Sequence, residues 1–141
     1  MAFRTHRMKK ITVSAAVILR TNPQTHKHEI LATQRGYGDF KGGWELPGGK
    51  IESGETPEEC IVREIREELA TVVKAEKTLG VVEYDYPAFH LTMHCLLCSV
   101  VSGDFTLLEH EDAKWITGET LYSLDWLPAD KLILGKIQEI L

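Results

Sequence analysis

Runs of small and β-branched residues in the first third of the chain predict β-strands. One run covers residues 11–19 and a second covers 30–34. The segment between them, TNPQTHKHE, is rich in turn-forming residues, so the two runs predict a β-hairpin with a polar tip. A loop over 35–43 with four glycines then leads into a short predicted strand at 44–46 and a turn at Pro47-Gly48-Gly49.

The clearest helix in the sequence is predicted to begin after Thr56. Thr56 suits the N-cap, Pro57 suits the first helical position, and Glu59 can close a capping box. The helix is expected to end near Ala70. Its apolar residues recur every four positions and form a stripe that should face the core. They are Ile61, Ile65 and Leu69.

The second half of the chain predicts two long strands and a C-terminal helix. The strands are expected over 78–86 and 90–101. An acidic segment follows them and precedes a short strand around Trp115. The last helix is expected over 131–141, with Asp130 as its N-cap.

Charge and composition narrow the possible functions. The 141 residues carry a net charge of −5, which argues against binding to a polynucleotide, because that requires a clustered positive surface. No apolar run is long enough to cross a membrane, and the basic N-terminal segment lacks a small-residue cleavage site, so a cytoplasmic protein is expected. No linker or internal repeat divides residues 1–141, which are expected to form one domain.

The cysteines do not predict a disulfide framework or a metal site. Cys60, Cys95 and Cys98 are an odd set in a chain without a secretory signal. Cys95 and Cys98 have the spacing of a metal knuckle, but in a strand their side chains would point to opposite faces, and no second pair exists. We expect them to be small buried hydrophobic residues.

Three carboxylates are placed on one face of the predicted helix. Glu64, Glu67 and Glu68 stand at positions i, i+3 and i+4. A surface helix neutralised by Arg63 and Arg66 would explain them without any function. A magnesium site is the alternative, because Mg²⁺ prefers oxygen ligands and commonly combines carboxylates with water and substrate phosphates.

The segment around these carboxylates resembles a known motif. Gly49, five residues, Glu55, seven residues and then Arg63-Glu64-Ile65-Arg66-Glu67-Glu68 is similar to the Nudix box. The preceding WELPGGK resembles the MutT branch of that family. The box normally continues with glycine and an aliphatic residue, where this chain has Ala70 and Thr71. That departure puts the turn geometry at the helix end in question.

The resemblance implies a fold and a metal site. The fold would be the Nudix α/β/α sandwich, with a mixed, curved sheet between helices. Mg²⁺, or alternatively Mn²⁺, would be bound by the carboxylates and by carbonyl groups of the glycine turn. The implied metal ligands are Gly48, Gly49, Glu64, Glu67 and Glu68.

The resemblance also implies roles in catalysis. Arg63 would be a scaffold that ties the helix to the loop through a carboxylate such as Glu55. Glu67 or Glu68 would act as the base that activates water. Glu109 matches a further basic or metal-binding carboxylate of MutT-like enzymes, and a solvated loop residue is the alternative.

Substrate contacts follow from the same resemblance. They are expected at Arg35, Leu46, Phe89 and Asp130. The ending Pro128-Ala129-Asp130 is similar to that of the CTP pyrophosphohydrolase group, although surface solvation would also explain Arg35 and a helix N-cap would explain Asp130. Aromatic residues are further candidates for stacking on a base, and core packing is the alternative for the tryptophan. They are Tyr37, Phe40 and Trp44.

The implied reaction is hydrolysis of a nucleoside triphosphate to the monophosphate and pyrophosphate. CTP, dCTP or an oxidised nucleotide is the expected substrate, as in the group of CTP pyrophosphohydrolases and 8-oxo-dGTP diphosphatases. A hydrolase of ADP-ribose, nucleotide sugars or dinucleoside polyphosphates is the alternative within the family. A regulatory domain that binds nucleotides without cleaving them is the alternative outside enzymes. The protein is expected to be a monomer or a homodimer.

Overall fold

The computed structural model describes residues 8–103, 105 and 110–141. The strands are β1 Lys9–Thr21, β2 His28–Arg35, β3 Trp44–Glu45, β4 Gly48–Lys50, β5 Thr71–Tyr86, β6 Phe89–Gly103 and β7 His110–Ile116. The helices are α1 Pro57–Leu69, α2 Pro128–Lys131 and α3 Leu134–Ile140, with a 3₁₀ turn at Leu121–Ser123. None of the helices in these ranges is long and apolar enough to cross a membrane.

The strands form one mixed sheet. Its central order is β3-β2-β1-β6-β5, with β4 paired to β1 and β7 paired to β2. β1 runs parallel to β6 and antiparallel to β2 and β4. The predicted hairpin of β1 and β2 is therefore confirmed, as is the mixed character of the sheet.

Helices cover both faces of this sheet because successive side chains of a strand point to opposite sides. Ala16 and Ile18 of β1 lie in one apolar cluster with the predicted stripe of α1. Ala15 and Val17 lie in a second cluster with Ile133 and Ile137 near the C-terminus. The α/β/α sandwich is confirmed.

Helix α1 begins as the sequence predicts. The Thr56 side chain accepts the Glu59 N–H, and the Glu59 side chain accepts the Thr56 N–H, which completes the capping box. The helix ends at Ala70, which adopts the left-handed conformation with φ 52° and donates its N–H to Arg66. The chain therefore makes the turn usually favoured by glycine, but with an alanine.

Two predicted boundaries were wrong. Residues 48–50, expected to begin as a turn, form strand β4, because their backbone pairs with β1 at Val13 to Ala15. β5 begins at Thr71 rather than residue 78, since pairing with β6 extends to Gly103 with three register irregularities. The sequence pattern does not reveal this because the added segment is rich in charged residues and faces solvent on one side.

The C-terminal helix also differs from the prediction. It consists of two pieces, α2 and α3, instead of one helix over 131–141. Asp130 is not an N-cap: it lies inside α2, whose N-cap is Leu127. The break leaves Leu132 58% exposed.

The cysteine prediction is confirmed. Cys60, Cys95 and Cys98 are free and buried. Cys95 belongs to the apolar cluster on one side of the sheet and Cys98 to the cluster on the other, as strand alternation requires.

Candidate active site

Arg63 fastens helix α1 to the loop that precedes it. Its Nε donates to Oε2 of Glu55 at 2.7 Å and its Nη2 donates to Oε1 at 2.9 Å. Nη2 also donates to the Lys50 carbonyl at 3.1 Å. Hydrogen bonding to Arg63 lowers the pKa of Glu55 to about 2, and hydrogen bonding to Glu55 raises the pKa of Arg63. The scaffold expected from the sequence is present in the structure.

The three box carboxylates lie beside this clamp. Arg63 Nη1 donates to Oε1 of Glu64 at 3.0 Å and to Oε1 of Glu67 at 3.2 Å. Glu68 is buried and its Oε1 accepts the N–H of Gly48 at 3.1 Å. The Glu67 side chain is 56% exposed. The structure thus brings α1 carboxylates against strand β4.

Strand β4 approaches α1 closely because it carries glycines. A Cβ atom on Gly49 would lie 2.2 Å from Oε2 of Glu64, so any larger residue at this position would force the Glu64 carboxylate to move. The Gly49 carbonyl accepts a weak hydrogen bond from Sγ of Cys60 at 3.5 Å. The predicted metal-binding residues of the strand and the helix are therefore neighbours.

The donors in this region suit a hard divalent cation. Carboxylate and carbonyl oxygens are the ligands that Mg²⁺ and Mn²⁺ accept. Within the described ranges, no group of three or more His, Cys, Asp or Glu side chains is arranged to hold a metal ion by itself. Mg²⁺ typically takes only one or two carboxylates and completes its shell with water and substrate phosphate, so the residues present fit such an ion.

A cleft of about 440 Å³ opens beside the box carboxylates. Glu68, Gly48 and Gly49 form one part of its lining. All four residues predicted to contact substrate also line it. They are Arg35, Leu46, Phe89 and Asp130. Residues separated by about a hundred positions in the sequence therefore meet in one cavity with the predicted metal-binding residues.

Asp130 is a buried acid in this cleft. It is 5% exposed, and its Oδ2 accepts the N–H of Leu46 at 2.9 Å. Burial raises the pKa of Asp130 to about 7, although the hydrogen bond from Leu46 opposes the shift. Its carboxyl group therefore changes charge near neutral pH.

Arg35 makes its hydrogen bonds within the protein. Its Nη2 donates to Oε1 of Glu45 at 2.8 Å and its Nε donates to Oε2 at 3.3 Å. Its Nη1 donates to the Asp39 carbonyl at 3.1 Å. The guanidinium group thus links the end of β2 to β3 and to the loop after β2.

Aromatic residues form another wall of the cleft. Tyr86 stacks on Phe89 with ring centroids 5.1 Å apart, and Phe40 meets the Tyr86 ring edge-on at 5.5 Å. The Tyr86 hydroxyl accepts the Ala129 N–H at 3.1 Å. Tyr37 and Phe40 line the cleft, as stacking candidates should, whereas Trp44 is not among its lining residues and is only 7% exposed in the core.

Glu45 and Tyr86 are cleft residues that the sequence pattern did not predict. Strand alternation could have predicted part of this aromatic and apolar wall. Phe89, Leu91 and Met93 occupy alternate positions of β6, and all three line the cleft. Tyr86 pairs with Phe89 across a two-residue turn. Glu109, predicted to assist catalysis, lies outside the described residues.

The arrangement of clamp, carboxylates and cleft agrees with a known family. A NUDIX domain model matches residues 10–136. The chain belongs to the Nudix family. The predicted family is therefore confirmed, and the capping box, glycine strand and arginine clamp of this Nudix protein are the local structures that carry the motif.

Characterised relatives extend the comparison over most of the chain. An 8-oxo-dGTP diphosphatase of Escherichia coli K12 is 30% identical over 134 residues, which is 94% of this Nudix chain and 100% of the relative. A CTP pyrophosphohydrolase of the same organism is 33% identical over 132 residues, 87% of each chain. The prediction of an enzyme is confirmed by these relatives, which are named as a diphosphatase and a pyrophosphohydrolase.

A solved structure supports the fold. The crystal structure of a MutT NUDIX hydrolase from Burkholderia pseudomallei is similar, with a TM-score of 0.77 and 27% identity. The match covers 92% of this Nudix chain and 98% of the other.

Proposed function

We propose that this Nudix protein hydrolyses nucleoside triphosphates to the monophosphate and pyrophosphate with Mg²⁺ as cofactor. Mn²⁺ is the alternative ion. The observation that carries the proposal is the position of Glu68, which lies in α1 beside the other box carboxylates and also lines the cleft. A diphosphate next to Glu68 and a base next to Asp130 would then share one cavity.

The chain's own residues would position the reactants. The Arg63 clamp holds Glu64 beside Gly49, which keeps the oxygen donors of helix and strand in register. A bound Mg²⁺ would neutralise phosphate charge and polarise the phosphorus atom toward attack by water. We assign the removal of the water proton to Glu67 or Glu68. Glu67 has the more exposed side chain, while Glu68 already accepts one backbone N–H.

The opposite side of the cleft would bind the nucleoside. Phe89 and Leu46 present apolar surface for a planar base, and Asp130 supplies a polar group beside them. We propose CTP, dCTP or an oxidised nucleotide as substrate, because the named relatives act on molecules of these classes. The ligand would be a small nucleotide, and the net charge of −5 argues against a polynucleotide. A cytoplasmic location and a monomer or homodimer remain part of this proposal.

Pyrophosphate release from a panel of triphosphates tests the proposal. CTP, dCTP, ATP, GTP and 8-oxo-dGTP are supplied with Mg²⁺, with Mn²⁺ or with EDTA. We expect turnover of at least one cytidine or oxidised nucleotide, monophosphate as second product, and no turnover with EDTA. ADP-ribose and diadenosine polyphosphates are assayed for their own products. Activity on those compounds alone would move the protein to another Nudix branch, and binding without turnover of any compound would indicate a regulatory domain.

Variants of α1 test the assigned residues. Glu67→Gln and Glu68→Gln should each lower kcat by at least about 100-fold, because a lost base or ligand costs several kcal/mol of transition-state stabilisation. Glu58→Gln is the matched control, since Glu58 lies exposed in the first turn of the same helix. Full activity in both Glu67→Gln and Glu68→Gln, with unchanged thermal stability, would contradict the roles proposed for these carboxylates.

A further inference from the structure

The loop formed by residues 36–43 carries an aromatic ring to the cleft in an unusual backbone conformation. Phe40 has φ 64°, in the left-handed region that residues with a side chain seldom adopt. Phe40 is 47% exposed and lines the cleft, and its ring meets Tyr86 edge-on. A disfavoured conformation persists only where surrounding contacts impose it.

Backbone hydrogen bonds close this loop onto Arg35. The Arg35 N–H donates to the Gly43 carbonyl at 2.9 Å, and the Gly42 N–H donates to the Arg35 carbonyl at 2.8 Å. The Gly43 N–H donates to the Phe40 carbonyl at 2.9 Å. Both ends of the loop are thus fixed, and the Phe40 carbonyl is hydrogen-bonded to the last residue of the loop.

The Arg35 side chain adds a link between this loop and strand β3. It donates to the carbonyl of Asp39, the residue before Phe40, and to both carboxylate oxygens of Glu45 in β3. The ion pair is largely shielded, with side-chain exposures of 32% for Arg35 and 18% for Glu45. The described hydrogen bonds of the guanidinium group are therefore made within the protein, and Glu45 balances its charge.

We propose that Arg35 is a positioning residue, which fastens the 36–43 loop to β3 so that Phe40 completes the aromatic wall against which a nucleotide base packs. This refines the substrate contact expected at Arg35 and rests on the proposed nucleotide hydrolysis. Phe40, Tyr86 and Phe89 would form one continuous apolar surface for the base. Arg35 would act on substrate affinity through Phe40 and would not touch the phosphates.

A double-mutant cycle on KM tests the route through Phe40. Phe40→Gly removes the ring and keeps the left-handed backbone accessible. Arg35→Ala and Phe40→Gly should each raise KM by about 3- to 10-fold, the scale of a lost aromatic contact, with kcat changed less than twofold. In Arg35→Ala/Phe40→Gly, KM should equal that of Phe40→Gly alone, because the ring that Arg35 positions is already gone. If the KM increases of the two single variants multiply in the double variant, the proposal is overturned.

Amide hydrogen exchange tests the attachment without any substrate. The Gly42 and Gly43 amides should exchange roughly tenfold faster in Arg35→Ala than in the original protein, since the loop opens locally more often. Arg20→Ala is the matched control. Like Arg35, Arg20 forms an ion pair with a carboxylate of the neighbouring strand, in its case Glu29 of β2 at 3.0 Å. Arg20 is not among the cleft residues. Unchanged Gly42 and Gly43 exchange in Arg35→Ala would overturn the proposal, whether or not the protein hydrolyses a nucleotide.

Discussion

The carboxylate of Glu64 lies against the α-carbon of Gly49, where an added Cβ atom would come within 2.2 Å of Oε2. The strand and the helix of the Nudix motif are thus in direct contact through a glycine. This contact places a helix carboxylate against the strand backbone, and carboxylate and carbonyl oxygens are ligands that a hard divalent cation accepts.

Gly49→Ala should abolish most of the activity while the protein stays folded. The added methyl group meets the flexible end of Glu64, which can move away. The moved carboxylate would no longer support the cation, so we expect kcat to fall by about 100-fold or the Mg²⁺ requirement to rise by a similar factor. Steady-state kinetics across a Mg²⁺ titration, with a thermal melt of each sample, measures both. Unaltered kinetics would contradict the role given to Glu64.

Gly48→Ala should instead damage the fold. Its Cβ atom would lie 2.0 Å from the Ser14 carbonyl oxygen, and this backbone atom belongs to the centre of β1. Overpacking of this kind costs about 1–3 kcal/mol or more of unfolding free energy. Gly135→Ala is the control, because nothing lies within 4 Å of its Cβ position in α3. That variant should be stabilised by about 0.5–1 kcal/mol, as is usual for a helical glycine. Urea unfolding of the original protein, Gly48→Ala and Gly135→Ala measures the decrease in unfolding free energy expected for the first variant and the increase expected for the second.

Glu55→Gln tests the clamp independently of the proposed metal ligands. The substitution removes the charge that pairs with Arg63 and leaves the box carboxylates chemically intact. We expect kcat to fall by about 10- to 100-fold, the usual effect of losing a group that orients metal ligands. Glu52→Gln is the matched control, since Glu52 lies in the same loop but is exposed and 3.7 Å from Arg63. Equal activities in both variants would show that the clamp does not orient the site.

Asp130 should make stability fall as the pH rises. Its pKa is raised from the usual 3.8 to about 7 by burial. Between these two pH values the folded state keeps a proton that the unfolded chain has lost, so folding weakens with rising pH and levels off above about pH 7. Asp130→Asn keeps an acceptor for the Leu46 N–H and cannot ionise. The unfolding free energy of the original protein relative to this variant should therefore be higher at pH 5 than at pH 8, and an equal difference at both pH values would refute the assignment.

Ala70→Gly should stabilise the protein. Ala70 has φ 52°, a conformation that glycine adopts without the steric cost of a Cβ atom. We expect a gain of about 0.5–1 kcal/mol in unfolding free energy. Ala75→Gly in strand β5 is the control and should lose a similar amount, because glycine in an extended strand only adds entropy to the unfolded state. Chemical denaturation of the two variants measures the opposite signs.

Local sequence patterns were sufficient to predict helix α1 and the carboxylates that it carries. Thr56, Pro57 and Glu59 define the start of the helix through contacts within four residues, and the apolar stripe follows from the helical period. The spacing of Glu55, Arg63 and the three box carboxylates resembled the Nudix box, and that resemblance implied the clamp. These features depend on residues close in sequence, where backbone geometry fixes which side chains can meet.

Long-range pairing decided what the sequence left open. The same glycines that predict a turn at residues 48–49 form a strand once β1 lies alongside them. Asp130 is a residue type that commonly caps helices. The tertiary structure instead buries it against Leu46, 84 positions earlier, and that burial raises its pKa. Arg35 carries the same charge in any conformation. Only the positions of Glu45 and the Asp39 carbonyl in the folded chain make them its hydrogen-bond partners. The sequence by itself determined the family, the helix and which groups are candidates for the chemistry, whereas the tertiary structure determined the burial and partners of those groups, because both depend on contacts between residues far apart in the chain.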